Sequence, residues 1–305
     1  MTLLGHWGAV GLLLTSTLLS ACGGAPPAPS NAAPQSSSLA PAATKSDDSN
    51  SLSALRQRLS TGEKPSELNV AAKGFGSQLG TVLAESGALS SLTVLNVSDN
   101  DLGPEGARAL AGSSPPNALR ELDLGGNDIG DQGAEAVARA AWSGLETLNV
   151  SGNSITSGGV TALTRGSLGR LSSLDLSMNN IGDAGIAALI NSQLPLKYLY
   201  LLGCEIGPAG AKAVAQTKRS SELEVLALSG NNLGDEGAQA LAKSPALQNL
   251  QTLDLSANNI GDAGALALAQ SSQLKKLKAL DLFGNDIGSR GGAALRKRFG
   301  AGLHL

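Results

Sequence analysis

The side chains that could do nucleophilic or metal chemistry are few and far apart in this sequence. Its cysteines are Cys22 and Cys204, and its histidines are His6 and His304. Two cysteines cannot form the disulfide framework of a small secreted domain, and no C-x-x-C or His/Cys cluster has zinc-ligand spacing. His6 lies in a leader segment expected to be removed and His304 is expected at a frayed end. No Ser/His/Asp or Cys/His arrangement can then be assembled. Carboxylates are more numerous: Asp123, Asp175, Asp254 and Asp281 recur at one place in a repeated pattern. Acid–base catalysis needs two carboxyls in different environments within a cleft, whereas these are expected on an open surface. The stretch "GFGSQLG", residues 74 to 80, has the wrong glycine spacing for a dinucleotide or phosphate loop. The residues predict no enzyme, no metal site and no cofactor.

Charge and composition narrow the classes further. A net charge of −3 offers no basic field to gather phosphates, and no Lys/Arg stripe is interleaved with aromatics, so no nucleic-acid partner is expected. The apolar residues are nearly all Leu, Ala, Ile and Val. The 39 glycines far exceed the usual share of roughly 7%. Such bias suggests repetition.

The opening "MTLLGHWGAVGLLLTSTLLSACGG" has an apolar run from Ala9 to Leu19 followed by small residues. That is the h-region of an export signal, shorter than the roughly 20 residues of a membrane span. The tetrapeptide "LSAC", residues 19 to 22, resembles the lipobox of bacterial lipoproteins, although its n-region lacks Lys and Arg. The resemblance implies removal of residues 1–21 and acylation of Cys22, with chains that hold the protein on a bilayer. Residues 22–50 are rich in Pro, Ala and Ser and read as a disordered tether. In Gram-negative lipoproteins "GG" rather than Asp after the cysteine implies transfer to the outer membrane. The expected location is therefore the bacterial cell envelope, on the outer membrane.

From Leu92 the chain can be laid over itself eight times, from "LTVLNVSDNDLGPEGARAL" to "LKALDLFGNDIGSRGGAAL", with a period of 25 to 27 residues. The motif L-x-x-L-x-L-x-x-N-x-I/L-G-x-x-G-A resembles the leucine-rich repeat, specifically its ribonuclease-inhibitor-like subtype. The resemblance implies an α/β solenoid, a horseshoe with parallel strands on the concave side and helices on the convex side. Alternating leucines such as Leu122 and Leu124 put one strand face into the core. The Asn column from Asn100 to Asn285 sits where the chain leaves the sheet, and its amides are expected to bond unpaired backbone groups. Cys204 takes that place in the fifth copy, a swap the family tolerates, and reads as a buried structural thiol.

Pro104 and Pro208 alternate with Asp131, Asp183, Asp235 and Asp262 at the first helical residue, so Gly130 or Gly182 is expected as the cap. The aspartates are explained by the dipole of the helix they begin. Residues 51–91 read as a cap helix, with Leu52, Leu55 and Leu59 on one face, followed by a degenerate repeat. Residues 92–305 hold the eight full copies. The final "RKRFGAGLHL" breaks off a further strand.

In a solenoid, function lies on residues the fold does not need. One concave column runs Asn96, Asp123, Asn149, Asp175, Tyr200, Ala227, Asp254, Asp281. Its aspartates are expected to attract basic groups. The next two columns are mostly Ser, Gly and Ala, interrupted by Met178, Leu202 and Phe283. Tyr198, Tyr200 and Leu202 are expected to point to the concave face from one strand, beside Met178 on its neighbour, as an apolar island with aromatic anchors. The expected activity is to hold a protein or peptide partner there. The alternatives are a structural envelope spacer or, by analogy with relatives that act on small GTPases, a GTPase regulator.

Overall fold

The computed structural model describes residues 51–61, 64–113, 118–217 and 222–305; the leader, Cys22 and the tether lie outside them. Among the described residues, ten short strands form one all-parallel sheet in strictly sequential order, β1 to β10. They are β1 Glu67–Asn69, β2 Val94–Asn96, β3 Glu121–Asp123, β4 Thr147–Asn149, β5 Ser173–Asp175, β6 Tyr198–Tyr200, β7 Val225–Ala227, β8 Thr252–Asp254, β9 Ala279–Asp281 and β10 Leu303–His304. The register aligns the repeats: Leu174, Leu199 and Leu226 are partners across β5, β6 and β7. A helix follows each of the first nine strands, so strands line the concave face and helices the convex one.

Each three-residue strand buries its central leucine and leaves the flanking side chains toward the open face. Leu148, Leu174, Leu199, Leu226 and Leu253 are fully buried, as are Leu176 and Leu201 in the next inward column. Helix α1, Leu52–Ser60, is capped by the Ser51 hydroxyl, which accepts from Ala54 N at 3.1 Å. It buries Leu55 and Leu59 and packs Leu52 against the same core.

The asparagine column holds successive turns together. Asn127 is fully buried; its Nδ2 donates to Val97 O and Leu124 O, both at 3.0 Å, and its Oδ1 accepts from Asn100 N at 3.0 Å. An unmet buried amide would cost about 1–3 kcal/mol, so these bonds account for the residue type. Cys204 fills the place in the fifth copy, buried, with Sγ donating to Leu176 O at 3.2 Å. Burial pushes its thiol up to about 12, which leaves it protonated and inert.

The helix starts differ from the sequence expectation. The helices over Gly130–Arg139 and Gly182–Ile190 begin at the glycines themselves, with φ of +58° at each, rather than after them. The first-turn aspartates also reach beyond their own helix. Asp131 Oδ1 accepts from Thr156 N at 2.7 Å, and Asp235 Oδ1 from Gly261 N at 2.8 Å and Gly264 N at 2.7 Å. Each carboxylate thus caps the helix of the following repeat, a contact 25 to 29 residues away in sequence.

Candidate functional site on the concave face

The strand positions flanking the central leucines form the floor of the concave face. Among the described strand residues none there is Lys or Arg. The column after the central leucine is built for a turn. Asn69, Asn96, Asn149, Asp175, Asp254 and Asp281 each accept, through Oδ1, the N–H two residues on, at 2.8–3.0 Å. This side-chain turn ends the strand and explains Asn or Asp in the column.

The acidic row is therefore partly committed to the fold, each aspartate spending one oxygen on the strand-ending turn. Asp123 is buried at 5% exposure, with Oδ1 accepting from Gly125 N at 2.9 Å. Burial pushes its carboxyl up to about 6, a rise reinforced by the nearby charges of Asp175 and Asp99 and opposed by the bonds from Gly125 and Asn149. Desolvation likewise raises Asp175 and Asp254, against the bonds they accept from Ser177 and Ser256. The corner beside Asp123 is tightly packed: a side chain at Gly125 would press on Ser151, Asn149 and Asp123 at 3.1–3.2 Å. Asp281 keeps one oxygen outward, where Oδ2 meets His304 Nδ1 at 2.9 Å.

His304 does not lie at a frayed end. It pairs with Asp281 in the parallel register of β10 on β9, and its ring stacks on Phe283 with centroids 5.3 Å apart. Phe283, 49% exposed, is thereby fixed at this end of the face, just past β9 and well away from the tyrosines of β6.

The apolar island stands in the middle. Tyr198 and Tyr200 flank the buried Leu199 and are half-buried on the concave side. In register Tyr200 lies between Asp175 and Ala227, and Tyr198 between Ser173 and Val225. Burial, with Asp175 and Tyr198 beside it, raises the Tyr200 phenol, so its hydroxyl stays a neutral donor. Among the described residues neither hydroxyl has a hydrogen-bond partner. Leu202 lies beyond the strand end, half-buried and leaning toward Gly230.

Met178 is not on the neighbouring strand. It follows β5 in a left-handed turn, φ +58°, at a place that is Gly126, Gly152, Gly203, Gly230 and Gly284 in other copies. Its side chain is 59% exposed, and its Sδ lies across Gly203, where a side chain would come within 2.9 Å of it. Asp99 and Ala257 share the left-handed conformation. An alignment of columns carries this signal, because glycine is the residue that φ > 0 favours.

Among the described residues no cluster of three or more His, Cys, Asp or Glu could hold a metal ion, and no helix is long and apolar enough to cross a membrane.

A family model described as "Leucine Rich repeat" matches residues 88–111, 117–138, 145–163, 171–189, 194–215, 220–242, 246–269 and 273–295. No curated protein matches the chain. A solved structure titled "Crystal structure of TLR13-ssRNA13 complex" is 21% identical over 73% of this chain, with a TM-score of 0.44. The match spans 33% of that chain, about a third of its length.

Proposed function

The chain belongs to the leucine-rich-repeat family, and from that membership we propose that it is a non-enzymatic binding module gripping a protein or peptide on its concave face. The helix signature G-x-x-G-A and the strand–helix alternation support the ribonuclease-inhibitor-like subtype. The anchors are Tyr198, Tyr200, Leu202 and Met178, with Phe283 as an outlying contact.

One observation carries this reading. At two columns the fold has its own preferred residue, Asn or Asp for the strand-ending turn and Gly for the left-handed turn. Tyr200 and Met178 depart from both, in adjacent repeats. Tyr200 offers no carboxyl or amide to Leu202 N, which instead donates to Ser177 Oγ at 3.2 Å from the preceding repeat. A non-glycine residue in the left-handed region costs about 1–2 kcal/mol. Ala227, Asp99 and Ala257 depart from the same preferences with small or polar side chains, whereas Tyr200 and Met178 bring large ones together in adjacent repeats, which points to a ligand. Tyrosines with unmet hydroxyls, rigid and amphipathic, suit protein recognition.

An envelope location, with the solenoid tethered to the outer membrane through an acylated Cys22, is supported by the apolar leader, the lipobox-like LSAC and the Pro/Ala/Ser-rich segment that follows. Membrane fractionation tests that part, since Cys22→Ser would release the protein from the membrane. A photo-crosslinking residue at position 200 in intact cells tests the binding part. A discrete protein adduct, absent when the probe stands at position 149 and weakened by Tyr198→Ala, is the expected result; no adduct from position 200 would sink the proposal.

A further inference from the structure

The net charge of −3 conceals a strong polarity along the coil. Residues 275–305 hold seven of the 22 Lys and Arg but two of the 25 acids, so they carry +5 and the remainder −8. The fold gathers these cations. Lys275, Lys276 and Lys278 lie in the connection before β9, at the edge where strands begin. The last helix, Ser289–Phe299, runs back toward the same edge and ends in Arg296, Lys297 and Arg298. Arg298 Nη2 donates to Leu274 O at 3.0 Å, next to Lys275, and the Gly302 backbone lies against the Lys278 carbonyl too closely for any side chain. The two segments therefore form one edge.

Arg298 serves the fold, because its Nη1 also donates to Leu268 O at 2.8 Å and Ala269 O at 3.2 Å, the last carbonyls of the preceding helix. The others do not. Lys276 and Lys278 meet only neutral amides, Asn249 Oδ1 at 2.6 Å and Gln251 Oε1 at 3.0 Å. Among the described residues Lys275, Arg296 and Lys297 meet no carboxylate, and all five side chains are exposed. The adjoining groove, which Lys276 also lines, holds Glu222 and Glu224, the latter engaged by Gln251 at 3.1 Å and Lys197 at 3.9 Å. The helix dipole accounts for cations in the last turn of a helix; it does not account for three lysines outside any helix.

We infer that this edge docks the solenoid onto a surface of anionic lipid headgroups. Charge complementarity selects an anionic surface, and the chemistry of the patch selects lipid. The five cations are exposed along an open edge, and only Lys276 also lines the adjoining open groove, as suits a diffuse layer of headgroups. Leu303 and Leu305, packed against the core but only half-buried, leave some apolar surface at the same end of the coil. A single strand of nucleic acid is held by stacking on free ring faces as well as by cations, yet the Arg298 guanidinium covers the Phe299 ring at 4.8 Å and one face of Phe283 is taken by His304. The inference deepens the membrane part of the proposed function but does not depend on acylation. On this inference the basic edge sets which end of the solenoid turns toward the bilayer.

The test uses the full chain carrying Cys22→Ser, so that no acyl chain contributes, and vesicles of phosphatidylcholine with or without about 30% phosphatidylglycerol. The expected result is at least tenfold stronger binding to the anionic vesicles at low salt, lost at high salt. Each cation near the surface contributes roughly fivefold, so Lys275→Ser with Lys276→Ser, Lys278→Ser, Arg296→Ser and Lys297→Ser would abolish the preference. Removing Arg165, Arg170 and Lys243, exposed elsewhere, would cost far less. Unchanged melting of both variants verifies folding. Equal binding to the two vesicles, an unaffected five-site variant, or tighter binding to a single-stranded RNA than to anionic vesicles would overturn the inference. Acylation of Cys22, read by mass on the unmutated protein, is decided separately.

Discussion

Asp183 Oδ1 accepts hydrogen bonds from Gly207 N at 2.7 Å and Gly210 N at 2.8 Å, so the carboxylate that opens one helix caps the helix of the next repeat. The contact sets the backbone of the receiving turn. Where the preceding repeat supplies an aspartate, as at Thr156, Gly207, Gly261 and Gly288, the receiving residue is extended, with φ between −77° and −106°. Where it supplies Ser77, Pro104, Ser157 or Pro208 instead, the receiving residue is left-handed: Gly103, Gly130, Gly182 and Gly234, φ +58° to +61°. In those four the glycine amide donates to the Asn or Cys carbonyl of the following repeat, as Gly130 N does to Asn153 O at 2.9 Å. Thr156, the one non-glycine residue in the series, stands where an aspartate precedes it.

This dependence predicts unequal tolerance at equivalent glycines. Gly130→Ala forces a left-handed alanine and should cost about 1 kcal/mol or more. Gly207→Ala, in extended backbone with ordinary contacts to the Asp183 carboxylate, should be neutral or gain a few tenths of a kcal/mol. Asp183→Ala should cost about 1–2 kcal/mol, and more in the Gly207→Ala background, where the turn cannot switch to the left-handed form. Urea melts of the four proteins would measure this; equal losses at 130 and 207 would refute the rule.

Restoring the fold's preferred residues in the island separates stability from binding. Tyr200→Asn reinstates the turn acceptor for the 202 amide, as Asn149 does for Ser151 at 2.9 Å. Met178→Gly relieves a left-handed side chain. Both should leave thermal stability unchanged or raise it by up to about 1 kcal/mol, while crosslinking from position 198 to the envelope partner falls at least tenfold. A loss of stability in both variants would make the two residues structural.

Most of the fold was legible because its signals are periodic. Leucines every two residues and asparagines every 25 to 27 specify strand, register and ladder together, and Cys204 was readable by its place in the column. The missed features depend on neighbours. Asp123 is buried in a corner it shares with Gly125 of its own repeat and with Asn149 and Ser151 of the next, a crowding that no single repeat reveals. The aspartate caps were assigned to their own helices because their partners lie a whole repeat downstream. His304 occupies a two-residue strand, too short for any periodic pattern. The basic edge was hidden by summing charge over the whole chain, since the acids that cancel it lie elsewhere on the coil.

Asp123 gives the stability of the coil a pH dependence with a definite sign. In the unfolded chain its carboxyl titrates near 3.8, and in the folded protein near 6. Between those values the folded state binds more protons than the unfolded state, so stability falls as pH rises. The contribution is fully present below about 3.8 and lost as pH passes through 6. Asp175 and Asp254 are shifted in the same direction and add to the slope. Asp123→Asn keeps an oxygen for Gly125 N, as Asn96 and Asn149 do in the same column, and removes the desolvated charge. The variant should gain roughly 1–3 kcal/mol at about pH 7.5 and little near pH 4. Urea midpoints at the two pH values would measure the difference, and an equal change at both would show that the carboxyl titrates in the fold as it does in water.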